Sequence, residues 1–146
     1  MNDQNLHLEI ATPTRTFYND EVEKFTFKAT TGEMTILKNH VPIMTLADLG
    51  IMHITDLKGN KREATLFGGS VLVENNKILI VTDDALWPEE IDIRRAEEAK
   101  RRAEEKLHAT KYNRREFVQA EHKLRKALVR IDLANTYEGI SRHKKY

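Results

Sequence analysis

The sequence predicts an α+β fold in two parts, an N-terminal antiparallel β-sandwich followed by a C-terminal antiparallel two-helix hairpin. Hydrophobic residues alternate with a period of two in the first part and recur at helical spacing in the second. The charge balance changes too: residues 1–88 carry 8 basic and 12 acidic side chains, whereas residues 89–146 carry 16 and 11. We therefore assign residues 1–86 to a sandwich domain, 87–137 to a helical hairpin and 138–146 to a frayed tail.

Short segments of alternating hydrophobicity predict the strands of the sandwich. In one of them, Val22 is expected on one face and Phe25 and Phe27 on the other. Many short strands at regular spacing favour a small sandwich or barrel. The predicted strands are LHLEI (6–10), VEKFTFK (22–28), GIMHITD (50–56), REATLF (62–67), SVLVE (70–74) and KILIVT (77–82).

Turn-forming residues mark the connections between these strands. Gly59-Asn60 and Asn75-Asn76 suit tight hairpins, because glycine and asparagine tolerate a positive φ. The segment GEMTILKNHVPIM (32–44) is punctuated by a glycine and a proline and is predicted to be a loop.

The composition disfavours catalysis and metal binding by this chain alone. It has no cysteine, which excludes disulfides and cysteine-based chemistry. Gly68-Gly69 lacks the Lys-Ser/Thr of a phosphate loop and opens no helix, so it predicts a tight turn or bulge inside the sandwich. The histidines are scattered, without partners at ligand spacing. They are His7, His40, His53, His108, His122 and His143.

No apolar run approaches the roughly 18–20 residues that span a bilayer. The N-terminus lacks the basic-then-apolar layout of a signal peptide. We therefore expect a protein without direct membrane insertion that is either cytosolic or bound to something that sits on a membrane.

The second part predicts two helices separated by a short break. Pro88 suits a first helical turn, and the acidic side chains after it would meet the positive end of the helix dipole. An alanine stripe then recurs at spacings of three and four until the segment 108–115 breaks the pattern. The stripe consists of Ala96, Ala99 and Ala103, followed by Leu107.

A heptad seam predicts the second helix. Residues seven apart form two apolar series, one of large side chains and one of alanine. They are Phe117, Leu124 and Ile131, and Ala120, Ala127 and Ala134. Alanine buries little area, so the seam would hold an antiparallel hairpin only weakly. That is the profile of a mobile switch, although a merely marginal hairpin would show the same pattern.

Charged residues of the hairpin suggest a ligand-binding face. Asp92 and Arg95 share a helix face and could pair, and Arg102 lies near that face seven residues further on. In an antiparallel hairpin with its turn near residues 110–114, Arg125, Lys126 and Arg130 would lie opposite. Such cations suit phosphates, and a carboxylate could accept an amino hydrogen of adenine. The competing interpretation, a solvated helix face, is favoured by the small contribution of surface ion pairs.

Four segments together resemble the epsilon subunit of bacterial F-type ATP synthase. They are LHLEIATP (6–13), GEMTILKNHVPIMTLADLG (32–50), FGGSVLVENNKILIVTDDA (67–85) and EEIDIRRAEEAKRRAEEKL (89–107). The resemblance implies a non-catalytic subunit whose sandwich is clamped between the gamma subunit and the c ring. It would form part of the rotor that couples proton flow to ATP synthesis. The implied location is peripheral, at the cytoplasmic face of the bacterial cell membrane.

The resemblance also implies contacts for individual residues. Glu33 and His40 are the candidates for contact with the c ring. The hairpin would pack on the sandwich when folded. When extended, it would reach the alpha/beta catalytic head and block ATP hydrolysis. The candidate contacts with the acidic surface of that head are Arg114, Arg115, Lys123 and Arg125.

Some members of the family bind ATP on the folded hairpin through an I/L-D-x-x-R-A motif, which reads IDIRRA here. No cofactor is required, and ATP is implied as a regulatory ligand. Lys126 stands where ATP-binding members tend to have arginine, which removes a bidentate phosphate contact. The candidate ATP-binding residues are Ile91, Asp92, Arg95, Ala96, Arg102, Lys126 and Arg130.

Two other hypotheses remain open at this stage. One is a free-standing ATP-sensing module that binds an acidic protein partner. The other is nucleic-acid binding by the basic hairpin, which the scarcity of aromatic side chains for base stacking disfavours. The resemblance favours partners within ATP synthase and no nucleic acid.

Overall fold

A computed structural model describes the backbone of residues 4–143 and the side chains of residues 4–137. The chain divides into two compact units between Leu86 and Trp87. The predicted β-sandwich followed by a two-helix hairpin is confirmed. The elements are β1 (Leu6–Ala11), β2 (Thr16–Ala29), β3 (Gly32–Leu37), β4 (Ile43–Asp56), β5 (Lys61–Glu74), β6 (Lys77–Val81), a 3-10 turn (Pro88–Glu90), α1 (Ile93–Ala109) and α2 (Arg114–His143).

The six strands form one sheet that closes on itself. Their order is β1-β6-β5-β4-β2-β3, and an additional pairing of β1 with β2 completes the closure. The β1–β6 pairing is parallel, and the other pairings are antiparallel. Large apolar side chains fill the interior of the sheet, and their burial drives the fold of this unit. The largest fully buried ones include Phe25, Phe27, Leu8, Ile36, Met52, Ile54 and Leu66.

Strand β2 departs from simple alternation. Val22 and Phe25 are both buried, although strict alternation predicted them on opposite faces. The pairing of β2 with β4 shifts register between Val22 and Lys24, and such an irregularity inverts the facing of the side chains that follow. The prediction that Val22 and Phe25 lie on opposite faces was therefore wrong. The register shift depends on the pairing with β4, which the local sequence does not show.

The predicted loop 32–44 is largely a strand. Residues Gly32–Leu37 form β3, which pairs with β2 and sets Ile36 opposite Phe25. Ile36 is fully buried, and this burial stabilises the strand despite the glycine and proline that bracket the segment. The loop is limited to residues 38–42, between β3 and β4.

A buried asparagine holds this short loop in place. The backbone N–H of Asn39 donates to Oδ1 of Asn76 at 2.6 Å, and Nδ2 of Asn76 donates to Oδ1 of Asn39 at 3.1 Å. The same Nδ2 lies 3.2 Å from the carbonyl oxygen of Gln4. Asn76, at the hairpin between β5 and β6, thus fixes the loop that carries His40.

The second unit is a hairpin whose helices have polar caps. Pro88–Glu90 forms a separate 3-10 turn, so α1 begins only at Ile93. Asn113 caps α2, because its Oδ1 accepts the backbone N–H of Glu116 at 3.3 Å. Helix α2 continues to His143, past residue 137, where the sequence predicted a frayed tail to begin; residues 144–146 lie outside the described residues. A single glycine at 139 lowers helix propensity without ending the helix.

Neither of the helices described over residues 4–143 is long and apolar enough to cross a membrane.

The glycine pair lies inside β5 and does not separate two strands. The predicted strands 62–67 and 70–74 are one strand, and Gly68 and Gly69 adopt φ values of 77° and 114° within it. A side chain at Gly69 would overlap the carbonyl oxygen of Val81, where β6 passes close by. At Gly68 the nearest atom would lie at an ordinary 3.7 Å. A glycine is therefore favoured at position 68 only by the positive φ. At position 69 it is favoured both by the positive φ and by the lack of space beside the Val81 carbonyl.

We predict that Gly69→Ala lowers the free energy of unfolding of the sandwich by about 3 kcal/mol or more. The added methyl group overlaps the backbone of β6 at Val81, which can move only if strand pairing is disturbed. Gly68→Ala is the matched control and should cost about 1–2 kcal/mol, the price of a positive φ alone. Urea denaturation of residues 1–86 measures both. Equal losses would contradict the close approach at Gly69.

Candidate functional site

A seam of small side chains joins the two helices of the hairpin. The buried residues of α1 are Ala96 and Ala103. On α2 the alanine series of the heptad is buried, together with Leu133. The series of large side chains, Phe117, Leu124 and Ile131, is half-buried. Among the described side chains of α2, residues 114–137, the buried ones are Ala120, Ala127, Leu133 and Ala134. Small residues at the contact allow two helices to approach closely while burying little area.

An interhelical groove opens beside this seam. Its volume is about 380 Å³, and alanine side chains of both helices form its apolar part. The rest of its described lining is cationic, and none of those lining residues is acidic. The lining consists of Ala99, Arg102, Ala103 and Lys106 from α1, and Ala120, Lys123, Lys126 and Arg130 from α2.

A second depression runs along the start of α1, with a volume of about 420 Å³. We call it the α1 depression. It shares Ala99 and Arg102 with the interhelical groove, so the two adjoin at those residues. Its charges are mixed, because carboxylates and guanidinium groups both contribute. Its lining consists of Asp92, Arg94, Arg95, Glu98, Ala99 and Arg102.

Five of the seven predicted ATP-binding residues line one of these two adjoining depressions. Asp92 and Arg95 line the α1 depression, Arg102 lines both, and Lys126 and Arg130 line the groove. The structure therefore brings together cations that are far apart in sequence. This grouping is consistent with the predicted ATP site, which stays a prediction.

The predicted ion pair between Asp92 and Arg95 takes a different form. Asp92 is the N-cap of α1, and its Oδ1 accepts the backbone N–H of Arg95 at 3.1 Å. An N-cap residue is not yet helical, so its carboxylate turns towards the exposed backbone donors of the first turn. Of the other motif residues, Ile91 is half-buried and donates its N–H to the carbonyl of Pro88, and Ala96 belongs to the seam. The motif thus both starts the helix and supplies part of the seam.

The two candidates for c-ring contact lie at opposite ends of β3. Glu33 is near its first residue, in a depression of about 330 Å³ that Lys28 and His53 also line. His40 follows the strand and is half-buried, with Nδ1 2.6 Å from the carbonyl oxygen of Val41. The structure does not bring Glu33 and His40 together into one patch.

The four candidates for contact with the catalytic head also separate. Arg114 and Arg115 are exposed in the first turn of α2, beside the connection between the helices. Lys123 lines the interhelical groove instead, and Arg125 is exposed elsewhere on α2. Lys123 thus shares the groove with candidate ATP-binding residues.

Sequence reasoning missed Lys106 as a member of the groove. Lys106 follows Arg102 by four residues, and side chains at that spacing share a helix face. The spacing was therefore available as a signal.

A second surface that sequence reasoning missed lies on the sandwich. Strands β4 and β6 expose apolar side chains on their outer face, and β5, which pairs with both strands, aligns them in two rows. Non-alternating segments such as KILIV were the available signal, because both faces of that strand are apolar. We call this surface the outer apolar patch. It comprises Met44, Leu46, Leu79 and Val81, which are 38% to 76% exposed.

Family models match nearly the whole chain. Residues 5–88 match the model described as ATP synthase, Delta/Epsilon chain, beta-sandwich domain. Residues 89–135 match the model described as ATP synthase, Delta/Epsilon chain, long alpha-helix domain.

Comparison with individual proteins supports these family matches. The ATP synthase epsilon chain of Caldanaerobacter subterraneus subsp. tengcongensis is 42% identical over 137 residues, which cover 93% of this chain and 98% of the relative. The sodium ion specific ATP synthase epsilon chain of Acetobacterium woodii is 37% identical over 110 residues, covering 75% and 83%. In fold, the chain is similar to a chain of the Euglena gracilis mitochondrial ATP synthase, with a TM-score of 0.78 at 22% identity, over 92% of this chain and 82% of that one.

Proposed function

The chain belongs to the ATP synthase delta/epsilon chain family, and from this premise we propose that it works as the epsilon subunit of the central stalk. In this role it performs no chemistry itself and couples rotation of the c ring and the gamma subunit to ATP synthesis. The observation that carries the proposal is the match of both domains in order, over residues 5–88 and 89–135. The complex would hold the chain peripherally, at the cytoplasmic face of the membrane.

The sandwich serves as the fixed attachment in this proposal. Contiguous exposed apolar side chains are typical of protein–protein interfaces. The outer apolar patch fits this description, since Met44 is 76% exposed and Leu46 is 59% exposed. We assign this patch to the gamma subunit. The loop 38–42, which Asn76 holds in place, is assigned to the c ring, with His40 as the contact residue there and Glu33 as a separate contact at the other end of β3.

The hairpin serves as the regulatory part. Its cations suit an acidic surface on the catalytic head, and its alanine seam allows the helices to separate or repack at modest cost. A hairpin that exchanges its own contacts for those with the head would block ATP hydrolysis. Arg114 and Arg115, which are exposed at the start of α2, would make the first of these contacts.

ATP is proposed as a ligand of the folded hairpin. The cationic groove would hold the phosphates, and Oδ2 of Asp92 would accept the amino hydrogen of adenine, since Oδ1 is used in capping α1. ATP would favour the folded hairpin by the difference between its affinities for the two states.

We predict that deleting residues 88–146 raises ATP hydrolysis by the assembled enzyme several-fold, because the inhibitory segment is removed while the sandwich stays attached. The measurement is the ATPase rate of the purified complex. Co-purification of the truncated chain with the gamma subunit is the control for assembly. An unchanged rate in a fully assembled complex would contradict inhibition by the hairpin.

We predict that Arg95→Ala abolishes ATP binding by the isolated chain, since it removes a cation from the α1 depression without disturbing the cap at Asp92. Isothermal titration calorimetry measures the affinity. The matched control is Arg101→Ala, whose guanidinium lies 3.7 Å from Glu105 and does not line either depression. If Arg95→Ala bound ATP as tightly as the unaltered chain, the proposed site would be wrong.

A further inference from the structure

The chain stays bound to the sandwich after β6 has ended. Residues 82–86, which we call the tether, lie against the first half of β5. The N–H of Phe67 donates to the carbonyl oxygen of Asp84 at 3.3 Å, and the N–H of Thr65 donates to the carbonyl oxygen of Leu86 at 2.9 Å. The two donors are alternate residues of β5, as in strand pairing. The tether therefore continues the hydrogen bonding of the sheet beyond β6.

Two further parts of the sandwich hold the tether. At its start, the N–H of Thr82 donates to the carbonyl oxygen of Ala11, the last residue of β1, at 3.0 Å. Near its end, Nη2 of Arg15 donates to the carbonyl oxygen of Ala85 at 3.1 Å. Ala85 is fully buried. The tether is thus fixed along its length by β1, by the connection between β1 and β2, and by β5.

The side chain of Thr65 makes the last of these contacts along the chain. Its Oγ1 accepts the backbone N–H of Leu86 at 2.9 Å and makes a longer hydrogen bond, of 3.5 Å, to the carbonyl oxygen of Leu86. Thr65 is fully buried, so little water competes for these bonds. Valine has nearly the same shape but could form only the backbone hydrogen bond. The hydroxyl group is therefore what fixes the N–H of Leu86.

The residues that follow Leu86 belong to a different unit. The chain divides between Leu86 and Trp87. The N–H of Trp87 donates to Oε1 of Glu90 at 2.9 Å, and the N–H of Glu90 donates to the carbonyl oxygen of Trp87 at 3.0 Å. Between them, Pro88 has a restricted φ. We call the connection between Leu86 and Trp87 the pivot, because a fixed tether meets a locally bonded turn there.

We propose that Thr65 is a positioning residue that fixes the pivot and thereby sets the reach of the hairpin. With Leu86 held, the hairpin changes orientation while its attachment point stays in place. Release of the tether would add the residues 82–86 to the free segment, which corresponds to roughly 17 Å of extended chain. A longer free segment lowers the effective concentration of the hairpin at any surface that it contacts. The resulting effect on ATP hydrolysis rests on the proposed function, whereas the attachment itself does not.

Hydrogen exchange of the intact chain tests the attachment. Thr65→Val should accelerate exchange at least about tenfold at the amides of residues 65, 67 and 86, which join the tether to β5. The amide of Leu66 is the control within the same strand, because donors alternate in direction along a strand, and its exchange should change less than about twofold. Thr65→Ser keeps the hydroxyl and should retain the protection to within about threefold.

Fluorescence of Trp87 tests the pivot directly, since this is the only tryptophan in the sequence. In Thr65→Val the amplitude of its nanosecond depolarisation should rise at least about twofold. Thr55→Val is the matched control and should leave it unchanged. Thr55 is also buried, but it pairs with Lys61, four residues before Thr65 on β5.

The ATPase rate of the assembled enzyme gives the functional readout. Thr65→Val should raise it at least about twofold, towards the rate obtained by deleting residues 88–146, and Thr65→Ser and Thr55→Val should not. Full inhibition in Thr65→Val, in a complex that the deletion does activate, would overturn the proposal. Unchanged exchange at residue 86, or equal acceleration at Leu66, would also overturn it. If the deletion leaves the rate unchanged, the proposed inhibition fails, and exchange and fluorescence alone decide the role of Thr65.

Discussion

The rest of the hairpin depends on the packing of small alanine side chains between α1 and α2, which lets the helices approach closely but buries little apolar area. Ala103 and Ala127 are almost fully buried, yet each buries far less area than a leucine would. At about 0.8 kcal/mol per buried methylene, an alanine in place of leucine forgoes roughly 2–3 kcal/mol. The sandwich, with Phe25 and Phe27 stacked at its centre, has no such weakness. The chain thus joins a firmly packed unit to a weakly packed one.

The same small side chains also create the charged groove. Because the alanines let the helices approach closely, cations that flank the seam on both helices line the interhelical groove. Arg102 and Lys126 are two of them. Under the proposed function, Lys123 belongs to two alternative contacts, one with an anion in the groove and one with the catalytic head. A side chain cannot make both at once, so the two contacts oppose one another. By linkage, each must weaken the other to the same degree.

The sequence predicted the features that local spacing determines. The division into sandwich and hairpin followed from the change of period, and the alanine seam followed from its heptads. The register shift at Val22, the strand Gly32–Leu37 and the continuity of β5 through the glycine pair were missed or misassigned, because each depends on a partner strand that only the folded chain provides. At the candidate site, the cations of α2 were found from antiparallel order. The capping role of Asp92 was not found, because it requires knowing where α1 begins.

Hydrogen exchange of the intact, ligand-free chain tests most directly whether the hairpin is the weakly held unit. Amides that open only with their whole unit report its stability, and those in weakly packed segments exchange sooner. We predict that protected amides in α1 and α2 exchange at least about a hundredfold faster than those in β4 and β5, after correction for intrinsic rates. Equal protection of the helices and the central strands would contradict it, because the alanine seam would then hold the hairpin as firmly as the aromatic core holds the sandwich.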